Sequence, residues 1–303
     1  MPPELSSWRD TPTRRAIEAY ISAVTDEGGS AYVPPQDRIA TFDNDGTLWC
    51  ERPAAIQLYF ALEQLKKLAQ ADPALLAQPA YKAAADGDMT YFDSLYPGNV
   101  AALMQIVFAT HGGMTQAEFE EQALAFLTEQ RHPRFGVPFK QLVYKPMVEL
   151  LRTLEAHDFR VFIASAGGMS FMRTVAEDIY GIPRERVIGS NVAFELRSAD
   201  SGPVLYRLPG LIEPLSDGPG KPANIELHIG RKPILTGGNA NGDIEMLWYS
   251  ETSPYRSLQL FLQHDDDERE YAYAGSVVDR ALETAGARGW TVISMRDDWE
   301  TVF

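Results

Sequence analysis

The stretch Arg38–Leu48 reads RIATFDNDGTL and predicts the fold around it. Its first five residues are mostly apolar, which is typical of a short buried strand. The apolar run stops at a polar cluster that begins with Asp43, and Gly46 in that cluster allows the backbone to turn tightly. A buried strand that ends in a polar, glycine-containing turn is typical of ligand sites at the carboxyl edge of a parallel sheet.

Helices and strands alternate from Pro146 onward, which predicts right-handed crossovers and a mostly parallel sheet. Apolar runs predict further strands at 159–165, 186–192, 232–238, 257–263 and 290–295. Helical patterns lie at 13–25, 147–157, 171–181, 222–230, 243–250 and 277–289. The long stretch before Pro146 is instead rich in Ala, Leu, Gln and Glu, with strong helical patterns at 56–69 and 116–130.

The predicted fold class is therefore α/β. We expect a Rossmann-like parallel sheet core at 1–48 and 145–303, with an inserted helical cap domain at 49–144. The 45% hydrophobic content of the 303 residues suits one large core or two smaller ones.

The composition also limits the classes of binding partner that we expect for this chain. A formal net charge of -15 disfavours binding to nucleic acid or to anionic membrane surfaces. Cys50 is the single cysteine, so no internal disulfide can form. No run approaches a membrane helix, and Met1–Trp8 lacks the apolar segment of a signal peptide. As written, the chain is expected to be cytoplasmic; it would be periplasmic if an export leader had been trimmed.

Three polar turns follow three predicted strands, at 43–47, 165–168 and 237–243. Parallel strands would bring these turns to one edge of the sheet. Asp43 and Asp45 stand two apart in the first turn, so one can act as nucleophile and the other as proton donor. By itself the same pattern also suits a polar turn with an Asx cap.

The other two turns and a lysine supply different chemical groups. Ser165, followed by Gly167, can hold a phosphate at a strand-to-helix turn, although such a serine is also typical of a helix N-cap. Asp243 offers a carboxylate for a hard cation such as Mg²⁺, or favours the helix dipole. Lys221 can neutralise phosphate oxygens. Together these groups make up a phosphoryl-transfer site.

The segments FDNDGTL, FIASAGG and GGNANGDIEML, together with Lys221, resemble the four motifs of the haloacid dehalogenase superfamily, and in particular its phosphoserine-phosphatase-like members. The resemblance covers about residues 39–48 and 143–262, and the helical stretch resembles the family's cap. It implies a Mg²⁺-dependent phosphatase acting on a small phosphorylated metabolite. Asp43 would attack phosphorus and form an aspartyl-phosphate, while Asp45 would protonate the leaving alcohol and then activate water.

The resemblance also implies the binding residues. Mg²⁺ would be held by Asp43, the backbone carbonyl of Asp45, and Asp243. Asn239 is a fourth candidate ligand, at a position where many relatives have an aspartate. The candidate substrate or phosphate contacts are Thr47, Ser165, Ala166, Gly167, Lys221, Glu51 and Arg131. Ala166 departs from the glycine that is frequent in the second motif.

Glu51 and Arg131 lie in the predicted cap, which would select the substrate. Each residue can also be interpreted without a role in binding. Glu51 suits a substrate contact or an exposed acid at a helix start. Arg131 can grip a phosphate in two-point fashion or form part of a solvated basic corner. The charge run HDDDERE at 264–270 is predicted to face water.

Other activities remain open at this point. An aspartate at position 45 favours phosphate esters over carbon–halogen bonds, and phosphonate cleavage would need a cap amine such as Lys66, Lys67 or Lys82. Phosphotransfer to an acceptor alcohol could use the same aspartyl-phosphate, and a non-catalytic phosphate binder is the third possibility.

Overall fold

Strands and helices alternate along the chain. A computed structural model describes residues 5–95, 103, 106–107, 109–200 and 202–303. The strands are β1 Ile39–Phe42, β2 Arg160–Gly168, β3 Val187–Ala199, β4 Gly202–Ile212, β5 Leu235–Gly238, β6 Leu258–Gln263 and β7 Thr291–Ser294. The described α-helices are α1 Pro12–Thr25, α2 Ile56–Ala71, α3 Pro79–Asp86, α4 Met89–Asp93, α5 Gln116–Glu129, α6 Lys145–Ala156, α7 Met169–Arg173, α8 Ala176–Tyr180, α9 Gly220–Ile229, α10 Ile244–Glu251, α11 Asp279–Arg288 and α12 Met295–Asp298.

The chain divides into two units. The first comprises Met1–Arg52, Lys140–Gly189 and Pro214–Phe303, and the second comprises Pro53–Phe139 and Ser190–Glu213. The sequence pattern predicts that 145–303 lies entirely in the core, whereas the structure groups Ser190–Glu213 with the helical stretch. The core and cap boundaries at 48/49 and 144/145 stay a prediction.

The sheet has the strand order β4-β3-β2-β1-β5-β6-β7. β1 pairs in parallel with β2 and with β5, and the β5–β6 and β6–β7 pairs are also parallel. All four residues of β1 are buried, as expected for a central strand of a parallel sheet. The α/β fold with a mostly parallel sheet is confirmed. Its topology places the carboxyl ends of β1, β2 and β5 side by side.

Helices α9, α10 and α11 pack against the strands of the first unit. One buried cluster joins residues of β2 and β6 to all three helices: Ala164, Ile225, Met246, Leu247, Phe261, Ala281, Ala285 and Trp290. Removing apolar surface from water is the main term that holds such a layer on a sheet. This packing fixes α9, which carries Lys221, and α10, which begins directly after Asp243.

The second unit has its own apolar core. The buried members of this cluster are Leu58, Ala61, Leu62, Leu65, Ala83, Ala84, Phe92, Val107 and Val192. Helix α5 begins with a capping box, in which Thr115 accepts from the backbone of Glu118 and the Glu118 side chain accepts in return. β3 and β4 form an antiparallel hairpin, with Leu196 opposite Leu205. The sequence analysis did not predict this hairpin.

Two other sequence expectations differ from the structure. The single helix expected at 171–181 is two short helices, α7 and α8, separated at Val175, whose φ is -130°. The charge run at 264–270 was predicted to face water, and this is wrong for His264, Asp266 and Glu270, which are buried. In the part of the chain that the structure describes, every helix is too short or too polar to span a bilayer.

Candidate active site

Lys221 lies between the carboxylates of Asp43 and Asp243. Its Nζ donates hydrogen bonds of 2.6 Å to Oδ1 of Asp43 and 2.6 Å to Oδ1 of Asp243. Asp43 directly follows β1, Asp243 lies in the turn after β5, and Lys221 is in the first turn of α9. All three side chains are buried. The parallel sheet thus brings together three charged residues from distant parts of the sequence.

One ammonium group faces two carboxylates in this cluster. Burial raises the pKa of Asp43 well above its usual range, and the neighbouring Asp243 raises it further, against the lowering effect of Lys221. Burial acts to lower the pKa of Lys221, but the carboxylates of Asp243 and Asp43 outweigh it and raise that pKa. The cluster therefore sets a single ammonium group against two carboxyl groups, and the pKa of one of them, Asp43, is raised.

Both carboxylate oxygens of Asp45 accept hydrogen bonds. Trp49 Nε1 donates to Oδ1 at 2.9 Å, and Ser165 Oγ donates to Oδ2 at 3.2 Å. Burial raises the pKa of Asp45, against the lowering effect of the hydrogen bonds from Trp49 and Ser165. A carboxyl group with a raised pKa keeps its proton to higher pH, as a general acid requires.

Thr47, Asn239 and Glu51 form a short hydrogen-bonded chain. Thr47 Oγ1 donates to Asn239 Oδ1 at 2.8 Å, and Asn239 Nδ2 donates to Glu51 Oε1 at 3.2 Å. Burial raises the pKa of Glu51, and Asp45 raises it further. These side chains form hydrogen bonds with one another. The expected roles stay predictions: Thr47 as a phosphate contact, Asn239 as a metal ligand and Glu51 as a substrate contact.

Gly46 makes the tight turn of the first motif possible. Its φ of +75° lies in the left-handed region that favours glycine. A Cβ at this position would also collide with the side chains of Asn239 and Glu51. Any larger residue would therefore disturb both the turn and the adjacent hydrogen-bonded chain.

His264 contacts the backbone of the same turn, and Glu270 contacts His264. His264 Nε2 lies 2.6 Å from the Gly46 carbonyl oxygen, and Nδ1 lies 3.0 Å from Oε2 of Glu270. Glu270 also accepts from Tyr144 Oη at 3.0 Å and from the Tyr271 backbone at 2.6 Å. The sequence pattern does not indicate this pair, because nothing local distinguishes these two residues from the other charged residues between them.

The second turn lies at the end of β2. Ser165 is buried and accepts a 3.0 Å hydrogen bond from the Gly167 backbone. Ala166 and Gly167 are partly exposed, and α7 begins only at Met169. β2 therefore continues past the strand end that was expected at Ser165. Phosphate contacts by Ser165, Ala166 and Gly167 stay predictions.

Arg131 belongs to the second unit. Its Nη1 donates to the Gly136 carbonyl at 2.6 Å, and Arg131 pairs with Pro138 in an antiparallel bridge. These contacts close a turn at 131–138. A role in binding substrate or phosphate stays a prediction for this residue.

The sequence model of the haloacid dehalogenase-like hydrolases matches residues 40–247, about two thirds of the chain. This chain belongs to the haloacid dehalogenase-like hydrolases. The matched range begins in β1 and ends in α10, so this hydrolase carries Asp43, Lys221 and Asp243 within the family's own region. No curated protein sequence matches the chain.

Solved structures share the fold of this hydrolase. A conserved, functionally unknown protein from Anaerococcus prevotii DSM 20548 is similar with a TM-score of 0.57 and 16% identity, over 92% of this chain and 90% of that chain. A protein with unknown function from Bordetella pertussis Tohama I has a TM-score of 0.50 and 16% identity, over 84% and 97%. Cytosolic 5'-nucleotidase IIIB bound to cytidine has a TM-score of 0.51 and 14% identity, over 95% and 87%. At these identities the likeness concerns the fold alone.

The donors of this hydrolase fit a hard divalent cation. Among the described residues, no three His, Cys, Asp or Glu side chains converge as a metal cluster. Mg²⁺, however, commonly uses one or two carboxylates and fills its other positions with water and phosphate oxygens. Asp43 and Asp243 supply two carboxyl groups on either side of the Lys221 ammonium group. These two residues and the backbone carbonyl of Asp45 could hold the ion.

Proposed function

We propose that this hydrolase is a Mg²⁺-dependent phosphatase that cleaves a small phosphomonoester through an aspartyl-phosphate on Asp43. The observation that carries the proposal is the position of Lys221 between Asp43 and Asp243, with Asp45 close by in the same turn as Asp43. A buried nucleophile, an acid with a raised pKa and a fixed cation are the parts that phosphoryl transfer requires.

In the first step, a carboxylate oxygen of Asp43 attacks phosphorus as the bond from phosphorus to the ester oxygen breaks. Asp45 gives its proton to that departing oxygen, so that a neutral alcohol leaves. The product is an acyl phosphate on Asp43, with Asp45 now ionised. Oδ2 of Asp43 is free of hydrogen bonds from described residues, so we assign the attack to this oxygen.

In the second step, the ionised Asp45 takes a proton from a water molecule, and the water oxygen attacks the phosphorus of the acyl phosphate. Inorganic phosphate leaves, Asp43 regains its carboxylate, and Asp45 regains its proton. The sum of both steps is one ester and one water converted to one alcohol and one phosphate.

Charge stabilisation by the chain supports both steps. Lys221 holds positive charge beside the attacking carboxylate, which favours approach of an anionic phosphate. When bound, Mg²⁺ would neutralise charge on the transferring phosphoryl group and fix its orientation. We propose Asp43, Asp243 and the Asp45 carbonyl as its protein ligands. Asn239 would support the site through Thr47 and Glu51.

The test is a phosphomonoester screen on the full chain, with added Mg²⁺ and with a chelator. We expect phosphate release that depends on Mg²⁺. Asp43→Asn should lower turnover roughly 10,000-fold or more, because it removes the covalent nucleophile. Asp200→Asn is the matched control, since Asp200 is exposed and distant in sequence from every motif.

The labelled intermediate gives a second readout. Brief reaction with a ³²P-labelled ester followed by acid quench should leave label on the wild-type chain and on Asp200→Asn, but not on Asp43→Asn. Turnover by Asp43→Asn at the wild-type rate would remove Asp43 as nucleophile. Mg²⁺ binding without turnover of any ester would favour a phosphate-binding protein instead.

A further inference from the structure

Trp49 is held rigidly beside Asp45. Its side chain is 1% exposed and packs edge-on against Phe171, with ring centroids 6.5 Å apart. Its backbone carbonyl accepts a 2.9 Å hydrogen bond from Gly46, and its backbone forms an antiparallel bridge with Val143. The indole ring therefore has little freedom to turn away from the carboxyl group that it contacts.

The indole N–H of Trp49 and the hydroxyl of Ser165 differ in the hydrogen bonds that they can form. An indole nitrogen can only donate, whereas a hydroxyl can donate or accept. Oδ1 of Asp45 faces Trp49 Nε1 at 2.9 Å, so it must act as an acceptor in every protonation state of the carboxyl group. Oδ2 faces Ser165 Oγ at 3.2 Å, and the serine can turn its hydrogen away and accept instead.

We propose that Trp49 is a positioning residue that reserves Oδ1 of Asp45 as an acceptor and so places the acid proton on Oδ2. The inference rests on the proposed acid role of Asp45. Ser165 completes the arrangement, because its hydroxyl donates to Oδ2 when Asp45 is ionised and accepts when Oδ2 carries the proton. Trp49 thus selects which oxygen delivers the proton to the leaving alcohol and which one later receives it from water.

The dependence of kcat/KM on the leaving group distinguishes a role of Trp49 in positioning Asp45 from a role in packing alone. An alkyl phosphate must have its leaving oxygen protonated, whereas p-nitrophenyl phosphate can release its phenolate without a proton. The ratio kcat/KM covers the steps up to loss of the alcohol, so it reports proton delivery directly. Trp49→Phe keeps an aromatic ring against Phe171 and removes only the donor and the outer part of the indole.

We expect Trp49→Phe to lower kcat/KM for an alkyl phosphate by roughly 10-fold to 100-fold, a fraction of the usual contribution of general acid catalysis. The same variant should lower kcat/KM for p-nitrophenyl phosphate by about 3-fold at most. Replacing Trp49 with β-(3-benzothienyl)alanine, which has sulfur in place of the N–H, should give the same split with almost unchanged volume. This second variant decides the matter if Trp49→Phe does not fold.

Trp290→Phe is the matched control. Trp290 is also largely buried in the first unit, and its Nε1 donates to a carboxylate oxygen of Glu251 at 3.3 Å. Glu251 has no part in the proposed mechanism, so this variant should change both substrates equally and little. It measures the structural cost of losing one indole–carboxylate hydrogen bond.

Three results are possible for the Trp49 variants. A larger loss with the alkyl ester supports the inference. An equal loss with both esters, or no loss with either, overturns it while leaving the phosphatase itself established by the wild-type rates. Absence of turnover by the wild-type chain on both esters and across the wider phosphomonoester screen would instead contradict the proposed function.

Discussion

Two buried charge clusters of the first unit differ in how completely their charges are balanced. In one, Asp43 and Asp243 share the single ammonium group of Lys221, and burial together with Asp243 raises the pKa of Asp43. In the other, Glu270 accepts hydrogen bonds from Tyr144 and the Tyr271 backbone and lies within 3.0 Å of His264 Nδ1.

The Glu270 cluster is satisfied by the protein alone. Burial acts to raise the pKa of Glu270, but the hydrogen bond and charge of His264 outweigh it, so the pKa is lowered. Both His264 nitrogens lie within hydrogen-bond distance of an oxygen atom, one of Glu270 and the other of the Gly46 carbonyl. Burying a charge is costly unless it is paired and hydrogen-bonded. The Glu270 cluster is balanced and can therefore support the structure by itself. The cluster of Asp43, Lys221 and Asp243 is unbalanced, which favours the binding of an added cation together with a phosphate.

Among the changes that compare these two clusters, removal of the shared cation should have the largest effect. Lys221→Met keeps much of the side-chain length but leaves Asp43 and Asp243 facing each other without an ammonium group. We expect kcat to fall on the order of 1,000-fold, as for loss of a main electrostatic group in other active sites. Steady-state kinetics with saturating Mg²⁺ measures this. Lys66→Met, at an exposed lysine, is the control. A loss below about 10-fold would contradict the role assigned to Lys221.

The balanced cluster should instead respond mainly in stability. Glu270→Gln removes the negative charge beside His264 while keeping the shape of the side chain. We expect the free energy of unfolding to fall by about 3 kcal/mol, since breaking a buried pair leaves its partner uncompensated. Denaturant unfolding measures this, with Glu185→Gln at an exposed site as control. Unchanged stability would show that the pairing with His264 is weak.

The residues of the first cluster could be predicted because their positions follow from topology. Each charged residue stands at the end of an apolar strand or at the start of the helix before one. Parallel pairing of β1 with β5 then brings Asp43 and Asp243 to the same edge. Local pattern and fold class together suffice for such a site, with no knowledge of side-chain contacts.

The second cluster could not be predicted in this way. His264 contacts Gly46 across 218 positions of sequence, and its neighbours Asp265 and Asp267 carry the same kind of charge as buried Glu270. Burial here depends on three-dimensional packing that leaves no periodic signal. The β3–β4 hairpin, by contrast, had a usable signal, since apolar and polar residues alternate at Phe194–Arg197 and the turn residues Gly202 and Pro203 precede the apolar run at 204–206.

The lowered pKa of Glu270 also predicts a pH dependence. A carboxyl group with a folded-state pKa below its ordinary value of 4.5 stabilises the fold above that value. The contribution is lost as the pH falls from there through the folded-state pKa. The carboxyl group of Glu270 should therefore contribute fully to the stability difference between wild type and Glu270→Gln at neutral pH. Below about pH 4.5 this difference should shrink by at most about 1.4 kcal/mol per pH unit.

Urea unfolding at a series of pH values from neutral to acidic measures this difference. His264, Tyr144, Tyr273 and Cys50 are ionisable groups that interact with Glu270, and all four are present in both proteins. The Glu185→Gln control measures the effect of the same substitution at an exposed site. A difference that grows as the pH falls would mean that Glu270 is protonated more readily in the folded state, contrary to its balanced surroundings.

The smallest effect concerns the edge of the unbalanced cluster, where Asn239 donates to Glu51 at 3.2 Å. Asn239→Asp would put two carboxylates in contact with no hydrogen between them, and we expect a loss of about 1 kcal/mol in unfolding free energy. Glu51→Gln alone should be nearly neutral, because its amide oxygen can still accept. The double variant should recover the loss, since the new amide can donate to the new carboxylate. A double-mutant cycle measures this coupling; additive changes would mean that the 3.2 Å contact does not explain the asparagine at this position.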